Sequence, residues 1–89
     1  MHALVIDDSR VARAVIRGIL TEMGITVSEA GNGREALDSL QAIPDVDLAL
    51  VDWNMPVMDG LEFITAVRSQ RGFDSLKIVM VTTETESEQ

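Results

Sequence analysis

The feature that most constrains the fold of this chain is the alternation of short, unbroken apolar runs with longer amphipathic segments. Four consecutive apolar residues occur at positions 3–6, 48–51 and 78–81. Such runs are typical of strands that are buried on both faces of a parallel sheet. The segments between them have helical spacing, so the order of elements reads βαβαβαβ. This order predicts right-handed crossovers and an α/β fold with a doubly wound parallel sheet.

The first helix is predicted by apolar residues at every fourth position. We expect one row of side chains to face the core, and its members are Val11, Val15, Ile19 and Met23. Gly24 follows this row directly, at the position where a glycine in the left-handed region ends many helices. The segment therefore reads as an amphipathic helix with a defined end.

The second and third helices are predicted by a capping pattern and by apolar spacing. Residues 25–30 alternate apolar and polar side chains, which favours a half-exposed edge strand before the second helix. Asn32 is followed three residues later by Glu35, the spacing of a capping box. We expect the second helix to bury Ala36, Leu37 and Leu40. The third helix is indicated by Leu61, Phe63, Ile64, Val67 and Arg68.

Length and composition exclude several classes of protein. Eighty-nine residues predict a single domain over positions 1–89. A net charge of −8 argues against nucleic-acid binding, which needs clustered Lys and Arg. The absence of cysteine excludes thiolate metal sites and fits a cytoplasmic protein. No apolar run approaches the ~18 residues that span a bilayer, and no basic segment precedes the first run as in a signal peptide.

Polar residues follow the predicted buried strands, where parallel sheets bind ligands. Asp7 and Asp8 follow the first strand, Asp52 ends the third, and Thr82 and Thr83 end the fourth. Three carboxylates at one edge of a sheet repel each other unless a cation lies among them. Because the donors are all hard oxygens, the pattern predicts Mg²⁺.

This edge of the sheet has the groups that phosphoryl transfer requires. Asp52 is placed to act as a carboxylate nucleophile toward a phosphoryl group. Bound Mg²⁺ would neutralise charge on that group, and Thr82 could donate a hydrogen bond to one of its oxygens.

Each of these residues also has a structural interpretation. Asp7 and Asp8 could cap the following helix, since Asp and Ser are favoured there and suit the helix dipole. Residues 54–60 could form only a turn, and Thr82 could be an ordinary residue at the end of a strand. The residues alone leave these alternatives open.

Three motifs together resemble one known family. They lie at residues 5–9 (VIDDS), 52–60 (DWNMPVMDG) and 79–82 (VMVT). Their order and spacing resemble those of the receiver domain of two-component response regulators, and closely those of the chemotaxis CheY-like members. The resemblance covers all 89 residues and implies the flavodoxin-like fold of these domains.

The resemblance implies a role for each residue near the phosphoryl group. Asp52 looks like the phosphoacceptor, which takes a phosphoryl group from the phosphohistidine of a sensor kinase or a phosphotransfer protein. Thr82 looks like the switch hydroxyl, and the Thr83 backbone N–H would hold another phosphoryl oxygen. Pro56 and Gly60 look like residues that shape the loop after the third strand.

The resemblance also implies a set of Mg²⁺ ligands. Asp8 looks like the direct ligand, and Asp7 would act mainly through water. Asp52 and the backbone carbonyl of Asn54 would complete the site. Lys77 opens the fourth strand and is expected at the wrong end of it to reach the phosphate.

The chain departs from the family pattern after its fourth strand. We expect the fourth helix, fifth strand and fifth helix of a complete receiver to be missing, together with the lysine that ends the fifth strand. Position 83 is Thr, where the family usually has a smaller residue. The fourth strand would then be a bare edge, and part of the stripe around Val15 and Ile19 would be exposed. We expect either the ordered part of a longer chain or an oligomer whose partner completes the sheet.

Three functions compete at this point. The first is a phosphorylation-controlled switch that catalyses only its own phosphorylation and dephosphorylation, and is otherwise not an enzyme. The second is a pseudo-receiver, an interaction module that is not phosphorylated. The third is an aspartate-nucleophile phosphatase, which typically needs an acid two residues after the nucleophile, where this chain has Asn54.

Overall fold

The computed structural model describes residues 1–43, 45–52, 60–69 and 76–81 of the chain. These residues form four strands and three helices in strict alternation, which confirms the order predicted from the sequence. The elements are β1 (His2–Ile6), α1 (Arg10–Glu22), β2 (Thr26–Ala30), α2 (Gly33–Ala42), β3 (Leu48–Asp52), α3 (Gly60–Arg68) and β4 (Lys77–Val81). Among the described helices, none is long and apolar enough to cross a membrane.

The four strands form one parallel sheet in the order β2-β1-β3-β4. Ile6 at the end of β1 pairs with Ala30 of β2 and with Val51 of β3. All carboxyl ends therefore lie at one edge of the sheet. Because α1 packs on one face and α2 and α3 on the other, the doubly wound α/β architecture is confirmed.

The larger part of the core lies between the sheet and the helices α2 and α3. Phe63 and Val67 of α3 are fully buried against Ala49 and Val51 of β3. The helix α2 contributes the side chains that the sequence predicted, which are Ala36, Leu37 and Leu40. Two helices cover this face of the sheet, so the side chains that β1 and β3 turn toward it are apolar.

The predicted core row of α1 is wrong, because its four members are exposed. Their exposed fractions are 75% for Val11, 58% for Val15, 56% for Ile19 and 68% for Met23. The helix instead buries Leu20 and packs Ile16 against β1. Arg13 and Arg17 form ion pairs with Glu29 of β2. These ion pairs lie on the β2 side of the helix, and the predicted exposure around Val15 and Ile19 is observed.

The C-terminus of α1 is closed by Gly24, as the sequence predicts. Gly24 has a φ of +83°, in the left-handed region that favours glycine. Its N–H donates to the Thr21 carbonyl over 3.0 Å, and the Ile25 N–H donates to the Leu20 carbonyl over 3.0 Å. This pair of bonds is a Schellman motif, and it returns the chain into β2.

The N-terminus of α2 carries the capping box predicted from its sequence. The Glu35 N–H donates to Oδ1 of Asn32 over 2.9 Å. Oε1 of Glu35 accepts the Gly31 N–H over 2.8 Å, so both side chains satisfy backbone donors at the start of the helix.

Candidate metal centre

Two neighbouring strands bring the acidic residues together. β1 and β3 are adjacent and parallel, and Ile6 pairs with Val51. Asp7 follows Ile6, and Asp52 follows Val51 as the last residue of β3. The register of the sheet therefore places both carboxylates at the same height, with Asp8 one residue further along.

The three carboxylates form a compact cluster at the carboxyl ends of the strands. One carboxylate oxygen from each of Asp7, Asp8 and Asp52 lies within 4.8 Å of the others. Asp7 and Asp52 are buried, with exposed fractions of 3% and 5%, whereas Asp8 is exposed. The structure thus brings together the three residues that the sequence singled out.

Asp7 is held in place by three hydrogen bonds. Its N–H donates to the Ala30 carbonyl over 3.1 Å, which continues the sheet by one residue. Its Oδ1 accepts the Ser9 N–H over 2.9 Å. Nη1 of Arg13 donates to its backbone carbonyl. The turn between β1 and α1 is therefore fixed from three directions, which orients its acidic side chains.

The N-cap of α1 bears on the alternative that Asp7 and Asp8 only cap this helix. Ser9 is the N-cap of α1, and its Oγ accepts the Ala12 N–H over 3.1 Å. Asp7 instead fixes the turn through the Ser9 N–H. The cap thus falls on the residue after the two aspartates.

Sequence reasoning missed the ion pairs beside this cluster. Nε of Arg13 lies 3.0 Å from Oε1 of Glu29, and Nη1 of Arg17 lies 2.6 Å from Oε2. The hydrogen bond from Arg17, followed by the one from Arg13, holds the pKa of Glu29 below its ordinary value of 4.5. Two arginines four residues apart on one helix were a signal that an acidic partner faces them.

The donor set of the cluster fits Mg²⁺. Three carboxylates supply hard oxygen atoms, and two of them are buried where like charges repel strongly. Oxygens that bind one Mg²⁺ directly lie at most about 4.2 Å apart, twice the usual bond length of ~2.1 Å. The observed limit of 4.8 Å is close to this value and leaves room for a ligand that acts through water.

Several predicted site residues fall outside the part of the chain that the structure describes. They are Asn54, Pro56, Thr82 and Thr83. Gly60 begins α3, directly after the predicted loop. Lys77 opens β4, and its N–H donates to the Asp47 carbonyl over 3.2 Å, at the end of the sheet opposite the acidic cluster. Its predicted place is confirmed.

Comparison with curated proteins finds chemotaxis proteins. The chain is 45% identical over 85 residues to a chemotaxis protein CheY homolog of Campylobacter jejuni, covering 94% of this chain and 65% of that protein. It is 42% identical over 85 residues to chemotaxis protein CheY1 of Helicobacter pylori, covering 94% of this chain and 68% of that protein. The chain thus spans about two thirds of the length of these relatives.

Solved structures with the same fold include two informative neighbours. Chemotaxis protein CheY4 of Vibrio cholerae superposes with a TM-score of 0.87 at 41% identity, over 97% of this chain and 71% of that one. The response regulator TrrA of Thermotoga maritima, solved in complex with Mg²⁺-BeF, gives a TM-score of 0.84 at 31% identity, over 94% of this chain and 70% of that one. The family model of the response regulator receiver domain matches residues 3–89. The chain belongs to the response regulator receiver domain family.

Proposed function

We propose that this chain is a phosphoacceptor receiver domain in two-component signalling, and that Asp52 is the acceptor. The observation that carries the proposal is the convergence of three carboxylates at the ends of β1 and β3. Asp52 is the one that ends a central strand, and it is buried beside Asp7. A carboxylate in that position can attack a phosphoryl group that enters from the edge of the sheet.

Transfer of the phosphoryl group needs no reactant other than the phosphohistidine and Asp52. A carboxylate oxygen of Asp52 attacks the phosphorus of a phosphohistidine on a sensor kinase or a phosphotransfer protein. The new O–P bond forms as the N–P bond breaks, and the imidazole nitrogen leaves with the electron pair. Hydrolysis then resets the domain: water attacks the phosphorus of the aspartyl phosphate and releases inorganic phosphate.

The acidic cluster supplies the ligands that a divalent cation needs. Asp8, Asp7 and Asp52 would hold Mg²⁺, together with the backbone carbonyl of Asn54 that the family pattern implies. When bound, Mg²⁺ neutralises negative charge on the transferring phosphoryl group. The Ser9 N–H orients the Asp7 carboxylate before any ion arrives, and the bond from the Asp7 N–H to the Ala30 carbonyl fixes the backbone beneath it.

The output is a change in partner binding rather than turnover of a substrate. Thr82 would donate its hydroxyl to a phosphoryl oxygen, and the Thr83 N–H would hold another. Each phosphoryl group that arrives leaves only by hydrolysis at Asp52, so the domain catalyses its own modification alone. The phosphodonor and the target are proteins, and we expect the exchange to take place in the cytoplasm.

Phosphorylation of Asp52 can be tested by intact-mass spectrometry. The chain is incubated with Mg²⁺ and a small acyl phosphate, and the mass is compared for wild type, Asp52→Asn and Asp38→Asn. We expect a single phosphoryl adduct on wild type that disappears completely in Asp52→Asn. Asp38, an exposed aspartate of α2, is the matched control and should leave the adduct unchanged.

The same samples separate the competing functions. A pseudo-receiver would give no adduct in wild type or in either variant, whether or not Mg²⁺ changes the emission of Trp53, the only tryptophan of the chain. A phosphatase would release many equivalents of phosphate per chain from a phosphate monoester. Our proposal requires an Asp52-dependent adduct, and no more phosphate from the acyl phosphate than repeated hydrolysis of that adduct supplies.

A further inference from the structure

His2 is the only histidine of the chain, and it lies at the end of the sheet opposite the acidic cluster. It opens β1 and pairs with Thr26, which opens β2. At ~3.3 Å per residue of a parallel strand, the step from His2 to Asp7 spans about 16 Å. A site built on His2 therefore shares no ligand with the acidic cluster.

The imidazole of His2 borders a polar cleft of about 260 Å³ at the amino ends of β1 and β2. Asp45 and Asp47 line the cleft from the turn before β3, and Met1 and Thr26 line it from the strand ends. The His2 side chain is 15% exposed, whereas that of Asp45 is 79% exposed. An ion from solvent can thus enter past Asp45 and meet a nitrogen ligand in the wall of the cleft.

Backbone hydrogen bonds hold the acidic turn against the sheet. The His2 N–H donates to Oδ2 of Asp47 over 2.9 Å, and the Asp47 N–H donates to the His2 carbonyl over 2.8 Å. The Asp47 carbonyl accepts the Lys77 N–H over 3.2 Å, so the turn is tied to β4 as well. The turn that carries Asp45 is therefore held in place on both sides.

Ser28 contacts one ring nitrogen of His2. Nε2 lies 2.7 Å from Oγ of Ser28, a half-buried side chain of β2. When the neutral ring carries its proton on Nε2, it donates to this oxygen, and the lone pair of Nδ1 is left for the side that carries Asp45. Histidines that bind metal ions are typically held in this way, with the second ring nitrogen donating to a fixed oxygen.

The other ring nitrogen lies at metal-ligand spacing from a carboxylate oxygen. Nδ1 of His2 is 3.5 Å from Oδ1 of Asp45. This distance exceeds the roughly 2.7–3.2 Å of an N–H···O hydrogen bond. It matches the edge of a zinc tetrahedron, since two ligand atoms ~2.1 Å from the ion at the tetrahedral angle lie about 3.4 Å apart. The spacing thus suits two ligands of one ion better than a direct hydrogen bond.

We propose that His2 and Asp45 bind Zn²⁺ in this cleft, through Nδ1 and a carboxylate oxygen. Zn²⁺ accepts imidazole nitrogen together with carboxylate oxygen, whereas Mg²⁺ prefers oxygen ligands alone. Water completes the tetrahedron, and the carboxylate of Asp47 on the same cleft can accept a hydrogen bond from it. The two carboxylates also balance the charge of the ion. The proposal does not depend on phosphorylation of Asp52.

Zn²⁺ in this position joins β1 to the turn between α2 and β3. Its two ligands lie far apart along the chain, so only the folded chain brings them together, and binding therefore stabilises the fold. We expect Zn²⁺ to raise the urea midpoint of unfolding of wild type but not of His2→Gln. An equal rise for both proteins overturns the proposal.

A Zn²⁺ titration of the untagged 89-residue chain measures the site directly. With excess Mg²⁺ present to occupy the acidic cluster, calorimetry should show one Zn²⁺ bound per chain. His2→Gln and Asp45→Asn should each weaken binding by about tenfold or more. Asp38→Asn is the matched control, since Asp38 is an exposed aspartate of α2, and should leave binding unchanged.

Three outcomes of this titration overturn the proposal. One is a wild type that binds no Zn²⁺, and another is binding that persists unchanged in either His2→Gln or Asp45→Asn. The third is loss of binding in Asp52→Asn, which would place the ion in the acidic cluster instead. Dependence on Asp45 also separates this site from one formed by the first two residues alone.

The single histidine allows the ligand atom to be identified. In a long-range ¹H–¹⁵N spectrum, the two ring nitrogens of His2 are the only imidazole signals of the chain. We expect Zn²⁺ to shift Nδ1, while Nε2 keeps its proton and donates to Ser28. Ser28→Ala removes this acceptor and should weaken Zn²⁺ binding several-fold. Zn²⁺ bound through Nε2, or an affinity that Ser28→Ala leaves unchanged, overturns the proposed geometry.

Discussion

The two edge strands of the sheet, β2 and β4, differ in the contacts that their side chains make. The β2 edge mixes polar and apolar residues, and two of its polar side chains, those of Ser28 and Glu29, have partners within the chain. Ser28 lies 2.7 Å from Nε2 of His2, and Glu29 is paired with Arg13 and Arg17. The β4 edge is an unbroken apolar run, and its Val79 remains exposed beside Leu50.

This difference shows which contacts determine the position of α1. On the β2 side, charged side chains tie the helix to the strand below it and discourage pairing with another chain. On the β4 side, the same helix presents an apolar flank. Among the described residues, polar contacts thus hold the β2 side of the helix, whereas its other side is apolar and exposed. Substitutions of Leu20, Arg13 and Glu29 test that contrast, in order of decreasing effect.

The largest effect is expected from the inward side of α1. Leu20 is buried against β1, and Leu20→Ala should lower the free energy of unfolding by about 2–5 kcal/mol. Ile19, its neighbour on the exposed flank, should lose no more than about 0.5 kcal/mol when changed to Ala. Unfolding in urea measures both. Similar losses for the two variants would mean that the helix is rotated from the position described.

An intermediate effect is expected at the ion pairs of the β2 side. Arg13→Met removes the donors to Glu29 and to the Asp7 carbonyl, and we expect a loss of about 1–2 kcal/mol. Because Asp7 belongs to the acidic cluster, the affinity for Mg²⁺ should fall several-fold as well. Unfolding in urea and a Mg²⁺ titration followed by Trp53 emission give the two values.

Arg17→Met is the control for this substitution. Arg17 binds the same carboxylate of Glu29 but is more exposed than Arg13, and of the two arginines only Arg13 donates to the Asp7 carbonyl. We expect it to cost less than about 1 kcal/mol and to leave the Mg²⁺ affinity unchanged. If Arg17→Met weakens Mg²⁺ binding as much as Arg13→Met does, the hydrogen bond from Arg13 to the Asp7 carbonyl does not explain the loss of Mg²⁺ affinity.

Sequence alone predicted the sheet and the acidic cluster because both depend on local patterns. The unbroken apolar runs form β1 and β3 in the centre of the sheet and β4 at its edge. Runs of this length and composition are typical of buried strands. In a parallel sheet, residues that end neighbouring strands must meet. The spacing of Asp7, Asp8 and Asp52 along the chain was therefore sufficient to predict that they lie together.

The rotation of α1 could not be predicted in the same way. Its apolar stripe is wide enough that either the row of Val15 and Ile19 or the row of Ile16 and Leu20 could face the sheet. In the observed rotation, Arg13 and Arg17 pair with Glu29, which lies more than ten residues away on β2. Hydropathy within the helix carries no information about that contact, and the row predicted for the core is therefore the exposed one.

The smallest effect is expected in the pH dependence of stability. The pKa of Glu29 in the folded chain lies below its ordinary value of 4.5, mainly because Arg17 and Arg13 donate hydrogen bonds to the carboxylate. Just below pH 4.5 the unfolded chain therefore binds more protons at this group than the folded chain does. Its contribution to stability is fully present above that pH and is lost as the pH falls through the lowered pKa.

Substitution of Glu29 isolates this contribution on the β2 side. Glu29→Gln should reduce stability at neutral pH by no more than about 1 kcal/mol, since the pair is partly exposed. Between neutral pH and the acid range, its stability should also fall less steeply than that of wild type. Glu22→Gln is the control, because Glu22 is an exposed glutamate at the end of α1. Wild type and Glu29→Gln with the same acid dependence would show that these ion pairs do not stabilise the β2 side. The rotation of α1 would then need another cause, such as the packing of Leu20 and Ile16.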